Sequence, residues 1–229
     1  MTSEAQRITQ NADQSSKVHS FILENTKLTS PPLLPEVSLY LAHESLPIWK
    51  KMEDHLDELN VPPPFWAFAW PGGQALARYI LDRPEEIANK RILDIGAGSG
   101  LTAIAAAKAG AASVLAVDID AFALGAIFLN AQANQVLVKA KDKDFITEEF
   151  GNADIILVGD LFYERPLAEK VMAFLRKVAQ DKVKILIGDP QRTYFPKNEF
   201  CCITQYDVPV SLDLEDSSLK KTAVWQWVS

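Results

Sequence analysis

A chain in which Arg91-Ile92-Leu93-Asp94-Ile95-Gly96-Ala97-Gly98-Ser99-Gly100 runs without a break into the alanine-rich stretch Leu101 to Ala109 has few folds open to it. A short apolar run ending in an acid, then alternating glycines, then helix formers is how a strand turns sharply into a helix whose N-terminus faces a ligand. Gly96, Gly98 and Gly100 follow G-x-G-x-G spacing, but Leu101 stands where a dinucleotide fingerprint has its third glycine, which argues against NAD. No Gly-Lys-Ser/Thr follows the loop, so nothing supplies the lysine that clamps nucleotide phosphates, and ATP is disfavoured too. What remains is a cofactor with an amino-acid end and an adenosine end, for which bare backbone and flanking carboxylates suffice. S-adenosylmethionine fits that description.

A second acid supports the reading. Val114-Leu115-Ala116-Val117-Asp118 is another buried-type strand, and its Asp stands about 20 residues after the glycines, where a carboxylate accepts both ribose hydroxyls. Alone, the glycine turn is equally a tight turn without a ligand; Asp118 in register tips the balance toward a binding site. Asp94 and Ile119 join the glycines and Asp118 as expected cofactor contacts.

The chain has 229 residues, 48% of them hydrophobic, enough for one sizeable α/β core with a small appendage. A net charge of -7 disfavours a sequence-independent grip on nucleic-acid phosphates and suits a protein partner that bears lysine. The two cysteines, Cys201 and Cys202, are adjacent, which is poor geometry for a disulfide and lacks any zinc-ligand spacing; they read as reduced core residues of a cytoplasmic, bacterial protein. No apolar run is long enough for a membrane span, and no signal core or Arg-rich transit segment opens the chain. His19, His43 and His55 have no acids at matching spacing, so no metal is expected, and neither is an oligomer.

Residues 1–16 are rich in Ser, Thr, Gln and Asn and read as a frayed terminus; 17–63 read as an extension packed on the core; 64–229 form the main domain. Ser16 caps a short helix, Lys17 to Asn25, and Pro31, Pro32 and Pro35 lead to a small strand, Val37 to Leu41, outside the main sheet. A helix follows over Ile48 to Leu59. The segment Pro62-Pro63-Pro64-Phe65-Trp66-Ala67-Phe68-Ala69-Trp70-Pro71-Gly72-Gly73 puts large aromatic surface where the backbone is irregular, just before a helix, Gln74 to Leu81. Each aromatic there is as readily a core plug as a ligand contact. Trp70, against the Pro-Gly-Gly turn, is the one expected beside the cofactor.

Helices are expected over Ala121 to Ala133 and Arg165 to Ala179, and strands near Val136 to Ala140, Asp154 to Val158, Lys184 to Ile187, Cys201 to Val208 and Thr222 to Val228. Past the third strand, Lys141-Asp142-Lys143-Asp144-Phe145 offers Asp144 to an adenine amine, although a charge run there is usually a solvated turn. The fourth strand runs into Gly159-Asp160-Leu161-Phe162-Tyr163-Glu164. Ligands of an open parallel sheet bind outside the carboxyl ends of its strands, so chemistry is expected here, with Gly159 against the cofactor.

On these residues the chain resembles the seven-β-strand class I methyltransferases, and within them it is similar to the lysine methyltransferases that act on the β subunit of electron transfer flavoprotein. The likeness rests on Pro64 to Leu76, on Leu93 to Gly100, on Asp118-Ile119-Asp120 and on Gly159-Asp160-Leu161-Phe162-Tyr163, and spans roughly residues 30 to 229. The resemblance implies an α/β, Rossmann-like seven-stranded sheet, mostly parallel with an antiparallel C-terminal strand, plus an N-terminal helical extension. It implies Asp160 and Tyr163 as the catalytic Asp-x-x-Tyr signature, Phe162 and Tyr163 as substrate-binding residues, and S-adenosylmethionine as cofactor. It implies electron transfer flavoprotein β subunit as the partner. One departure is Ala121 after Asp120, where relatives often have proline; ribose binding does not depend on it. A methyltransferase of another protein, such as a ribosomal protein, shares every cofactor feature. A non-catalytic cofactor-binding module would lack a polar group where Asp160 stands.

Overall fold

The computed structural model describes residues 4–42, 48, 63–142, 144, 153–211 and 215–228, residues 4–14 by their backbone alone. Helix α1 (Glu4–Asn25) leads into a two-stranded hairpin, β1 (Lys27–Thr29) with β2 (Leu39–Leu41), set apart from the main sheet. After a 3₁₀ turn at Phe65–Ala67 come α2 (Pro71–Asp82), β3 (Arg91–Ile95), α3 (Leu101–Lys108), β4 (Ser113–Asp118), α4 (Ala121–Ala133) and β5 (Lys139–Asp142). The second half adds β6 (Ile155–Gly159), α5 (Arg165–Ala179), β7 (Lys184–Asp189), β8 (Phe200–Pro209) and β9 (Leu219–Trp227).

The main sheet has seven strands in the order β5-β4-β3-β6-β7-β9-β8. The first five are parallel, and β9 pairs antiparallel with β7 and with β8. The order reverses between β3 and β6, so the carboxyl ends of β3, β4 and β6 open a crevice at the switch point. Alternation along each strand builds two cores. Ile92, Ile155, Leu157 and Leu186 face α2 and α3, whereas Leu93, Ile95, Ile156, Val158, Ile185 and Ile187 face α5. A third cluster joins Ile22 of α1, Ala123 and Ala126 of α4 and the aromatic stretch Trp66–Phe68.

Several boundaries differ from expectation for local reasons. The first helix begins at Glu4 rather than Lys17. The third strand begins at Lys139 rather than Val136, because residues 135 and 136 close α4: Gln135 is left-handed (φ 56°) and the Val136 amide donates to the Ala131 carbonyl, a Schellman-type ending. Cys201 and Cys202 are free, but both are exposed rather than in the core, because β8 is the sheet's edge strand with a register shift just after them. The helix expected over Ile48 to Leu59, with His43 and His55, lies outside the described residues except for buried Ile48. His19 stacks on Phe128, ring centroids 5.0 Å apart. No helix among the described residues is long and apolar enough to cross a membrane, and no three His, Cys, Asp or Glu side chains among them gather at metal-binding distance.

Candidate active site

The glycine loop after β3 has the conformation its residues demand. Gly96, Gly98 and Gly100 all have positive φ (60°, 52° and 77°), and a Cβ on Gly96 would lie 2.7 Å from Leu161. Asp118, at the end of the neighbouring strand, holds the loop from the side: its Oδ2 accepts from the Gly98 amide at 2.8 Å and its Oδ1 from the Asp120 amide at 3.0 Å. Burial pushes the Asp118 carboxyl up, the two amides oppose this, and Asp142, its partner across the β4–β5 register, adds to the rise. Ile119, next in the chain, is 69% exposed, an apolar surface left open beside the carboxylate. Asp120 caps α4 by accepting from the Phe122 amide at 2.8 Å. Asn130 of α4 donates to the Ser99 carbonyl at 2.8 Å and accepts from the Tyr40 amide at 2.7 Å, tying the loop to β2.

Asp94 is placed otherwise than expected. It is buried under the loop and accepts from the Thr102 hydroxyl at 2.5 Å, so it braces the start of α3 instead of facing the crevice, and burial pushes its carboxyl up to about 7. Asp144 is exposed beyond the end of β5, with neighbours on both sides outside the described residues.

The Trp-Pro-Gly-Gly segment and the Asp-x-x-Tyr segment form one unit. Trp70 occupies the N-cap position of α2 with extended backbone, Pro71 pre-sets the first helical residue, and no Trp70 side-chain atom caps the helix. Asp160 does so from across the chain: its Oδ2 accepts from the Gly73 amide at 2.9 Å. Such close approach needs glycines. A Cβ on Gly72 would lie 2.1 Å from the Gly188 carbonyl oxygen, one on Gly188 would lie 1.9 Å from the Gly72 oxygen, and one on Gly159 would lie 3.3 Å from the Gly73 Cα. Gly159 therefore seats the helix on the sheet, at the strand end where the cofactor contact is expected.

Asp160 itself is left-handed (φ 56°), a conformation Asp tolerates better than most residues. Its Oδ1 accepts from the Arg192 guanidinium, Nε at 3.0 Å and Nη2 at 2.9 Å. Arg192 also donates to Glu215 at 2.9 Å, its backbone amide donates to Asp189 Oδ1 at 2.7 Å, and its guanidinium lies 5.6 Å from the Trp70 ring centroid. Burial raises the Asp160 carboxyl, while Arg192 and the Gly73 amide hold it down; Asp189 is pushed up to about 7, by burial first and then by Asp160. Arg192 and Glu215 were not singled out from the sequence. The only signal for Arg192 was its place just past the carboxyl end of β7, in line with the other site residues.

Aromatic rings line the opening. Phe65 (36% exposed) lies 5.4 Å from the Tyr163 ring (40% exposed) and 5.9 Å from Trp70, whose indole donates to the Phe65 carbonyl at 2.9 Å. Burial raises the Tyr163 hydroxyl, and Glu164 and Asp118 add to it. Phe162 is a correction: it is fully buried in the α5-side core, edge-on to Phe195 at 5.2 Å, because the turn at Asp160 sends alternate side chains to opposite sides. Trp66, stacked on Phe122, and Gln74 in the first turn of α2 each keep one buried polar atom, Nε1 and Oε1, without a partner among the described residues.

A backbone cradle of left-handed glycines, a carboxylate on the adjacent strand end and a seven-stranded sheet reversing at that point define a class I S-adenosylmethionine-dependent methyltransferase. Residues 74–180 match the family model for ribosomal protein L11 methyltransferase (PrmA). The fold matches that of ribosomal protein L11 methylase from Lactobacillus delbrueckii subsp. bulgaricus (TM-score 0.50, 20% identity, 71% of this chain and 81% of that one). It also matches magnesium protoporphyrin IX methyltransferase from Synechocystis PCC 6803 solved with S-adenosylmethionine bound (TM-score 0.50, 14% identity, 78% and 96%). Sequence likeness is nearer. The chain is 35% identical to electron transfer flavoprotein beta subunit lysine methyltransferase of Mus musculus, over 92% of this chain and 84% of that protein, and 36% identical to that of Xenopus laevis, over 91% and 86%. The chain belongs to this family of protein-lysine methyltransferases.

The cradle makes one expectation concrete. Asp118→Ala frees the Gly98 amide and, on the ribose assignment, also removes a charge-assisted acceptor, so affinity for S-adenosylmethionine is expected to fall on the order of tenfold to a hundredfold. Calorimetry giving an unchanged affinity would remove the ribose assignment.

Proposed function

We propose that the chain transfers methyl groups to lysine side chains of an electron transfer flavoprotein β subunit. The observation that carries it is the single unit made by Asp160 with the Gly73 amide, Trp70 and Tyr163, set against the glycine loop where Leu161 packs on Gly96. Relatives that bear the substrate in their names share this chain's length almost throughout, which supports the same substrate here.

The residues that fit the cofactor are Gly96, Gly98 and Gly100 by their open backbone, Asp118 by its carboxylate, and Ile119 and Trp70 by apolar surface. S-adenosylmethionine supplies, when bound, an electrophilic methyl group on a cationic sulfonium. A lysine amine has an ordinary pKa near 10.4 and must be neutral to attack. The rings of Phe65, Trp70 and Tyr163 exclude water around it, and desolvation lowers that pKa. Their faces also hold methylated, cationic amines through cation–π contact. Asp160 gives Oδ1 to the two Arg192 donors and Oδ2 to the Gly73 amide, which leaves Oδ2 a further lone pair, so it orients the amine and sets the angle of the rings through α2. Orientation accounts for most of the rate in such a displacement.

The acidic surface, with a net charge of -7, supports a protein rather than a nucleic-acid substrate. The free, exposed Cys201 and Cys202 suit a reducing, cytoplasmic compartment. The edge strand β5, with Lys139, Lys141 and Asp142 all exposed, discourages edge-to-edge pairing and supports a monomer. Incubation with labelled S-adenosylmethionine, purified electron transfer flavoprotein and a lysate, followed by mass spectrometry, tests the proposal. Methyl-lysine on the β subunit is the expected product. Label confined to another protein, to RNA or to small molecules would overturn it.

A further inference from the structure

We propose that Arg192 is a positioning residue for methyl transfer, clamping the Asp160 carboxylate and through it the first turn of α2, and that Glu215 holds Arg192 in place from the β8–β9 connection. The inference rests on the reading of Asp160 as part of the reaction site. Three side chains from three separate segments converge: Asp160 after β6, Arg192 after β7 and Glu215 before β9 are 8%, 18% and 6% exposed. A guanidinium shared by two carboxylates, each at 2.9 Å, fixes both in direction as well as distance. Lys220 meets the far side of Glu215 at 3.3 Å and Asp216 at 2.7 Å, so the chain of charges reaches the surface.

Arg192 has more to do than fill a gap. Among the described residues, the ionisable groups that face Asp160 are Arg192, Asp189 and Glu215, and of these only Arg192 favours its ionised form. Without the guanidinium, three buried carboxyl groups face one another, and a proton on Asp160 relieves them. A protonated Asp160 is a weaker cap for the Gly73 amide and a poorer partner for an amine. The guanidinium also lies over the Trp70 ring, so it steadies the aromatic wall on which the substrate depends. Lysine cannot copy this arrangement, because a point charge has no planar fork to span both acids and the ring.

Steady-state kinetics at saturating cofactor across the pH range, with calorimetric affinity for S-adenosylmethionine, separate the possibilities. Arg192→Gln is expected to lose about a hundredfold in kcat/KM for the protein substrate, the scale of a small misplacement of catalytic groups. Its cofactor affinity stays near wild type, and the acid limb of its pH profile moves to higher pH, since Asp160 then ionises only at higher pH. Arg192→Lys recovers part of the loss and of the shift. Glu215→Gln, one step removed, loosens Arg192 and lowers kcat/KM by a smaller amount, while the acid limb moves to lower pH because a carboxylate that raises Asp160 is gone; it carries the test should Arg192→Gln not fold. Arg192→Gln with lowered thermal stability but an unmoved acid limb and kcat/KM within about threefold of wild type, beside an inactive Asp160→Asn, would overturn the proposal alone. An active Asp160→Asn would overturn the reading of Asp160 itself.

Discussion

Gly72→Ala is expected to destabilise the protein by about 3 kcal/mol or more, whereas Gly73→Ala, one residue along, is expected to stabilise it slightly or leave it unchanged. The added methyl at 72 would lie 2.1 Å from the Gly188 carbonyl oxygen and 2.5 Å from Asp160 Oδ2. Neither neighbour is a flexible side-chain end: one is strand backbone, and the other is pinned by Gly73 and Arg192. The helix must therefore lift off the sheet, which breaks the cap and opens the crevice wall. At 73 the nearest atom is a Leu101 methyl at 4.0 Å, and alanine in a helix loses less backbone entropy on folding than glycine. Thermal denaturation of both variants checks the pair, and equal stability for the two would remove the close-packing account. Gly188→Ala, the mirror of the contact at 1.9 Å, is expected to behave as Gly72→Ala does.

That contrast marks the boundary of what the sequence made legible. The cofactor cradle was legible because it is local: strand, glycine turn, helix and second acid follow within about 20 residues, and each has few conformational alternatives. The sheet was legible from the apolar runs that alternate with helical segments. The joint between Gly73 and Asp160 was not, because 87 residues separate a helix that lacks a side-chain cap from the carboxylate that supplies one. Trp-Pro-Gly-Gly and Asp-x-x-Tyr read as two motifs in sequence, and become one only when β6 and α2 meet. Arg192 and Glu215 sit in connections without a motif, and only burial together gives them a role. Phe162 failed for the opposite reason: it lies inside the right motif, but the backbone turn at Asp160 directs it into the core. Asp94 likewise sits at the right place in the chain and points under the loop.

Asp160→Asn is expected to cut methylation of the protein substrate by about a hundredfold or more while cofactor affinity stays near wild type. Asparagine keeps the shape and tolerates the left-handed backbone at φ 56°, so the substitution tests the charge rather than the turn. The amide has one acceptor for two donors, the Gly73 amide and the Arg192 guanidinium, so one donor faces an NH₂ group and the buried network loses a partner. Some stability is lost as well, about 1–3 kcal/mol for a buried polar group left unpaired. Single-turnover assays at saturating S-adenosylmethionine, run well below the variant's melting temperature, remove that contribution. The carboxylate does not cap the helix that follows it: α5 begins at Arg165 with Glu164 as its N-cap residue, and Asp160 bonds to α2 instead. A variant that is folded, binds cofactor and methylates at near wild-type rate would therefore confine Asp160 to holding α2 on the sheet, and would take the orientation of the lysine amine away from it.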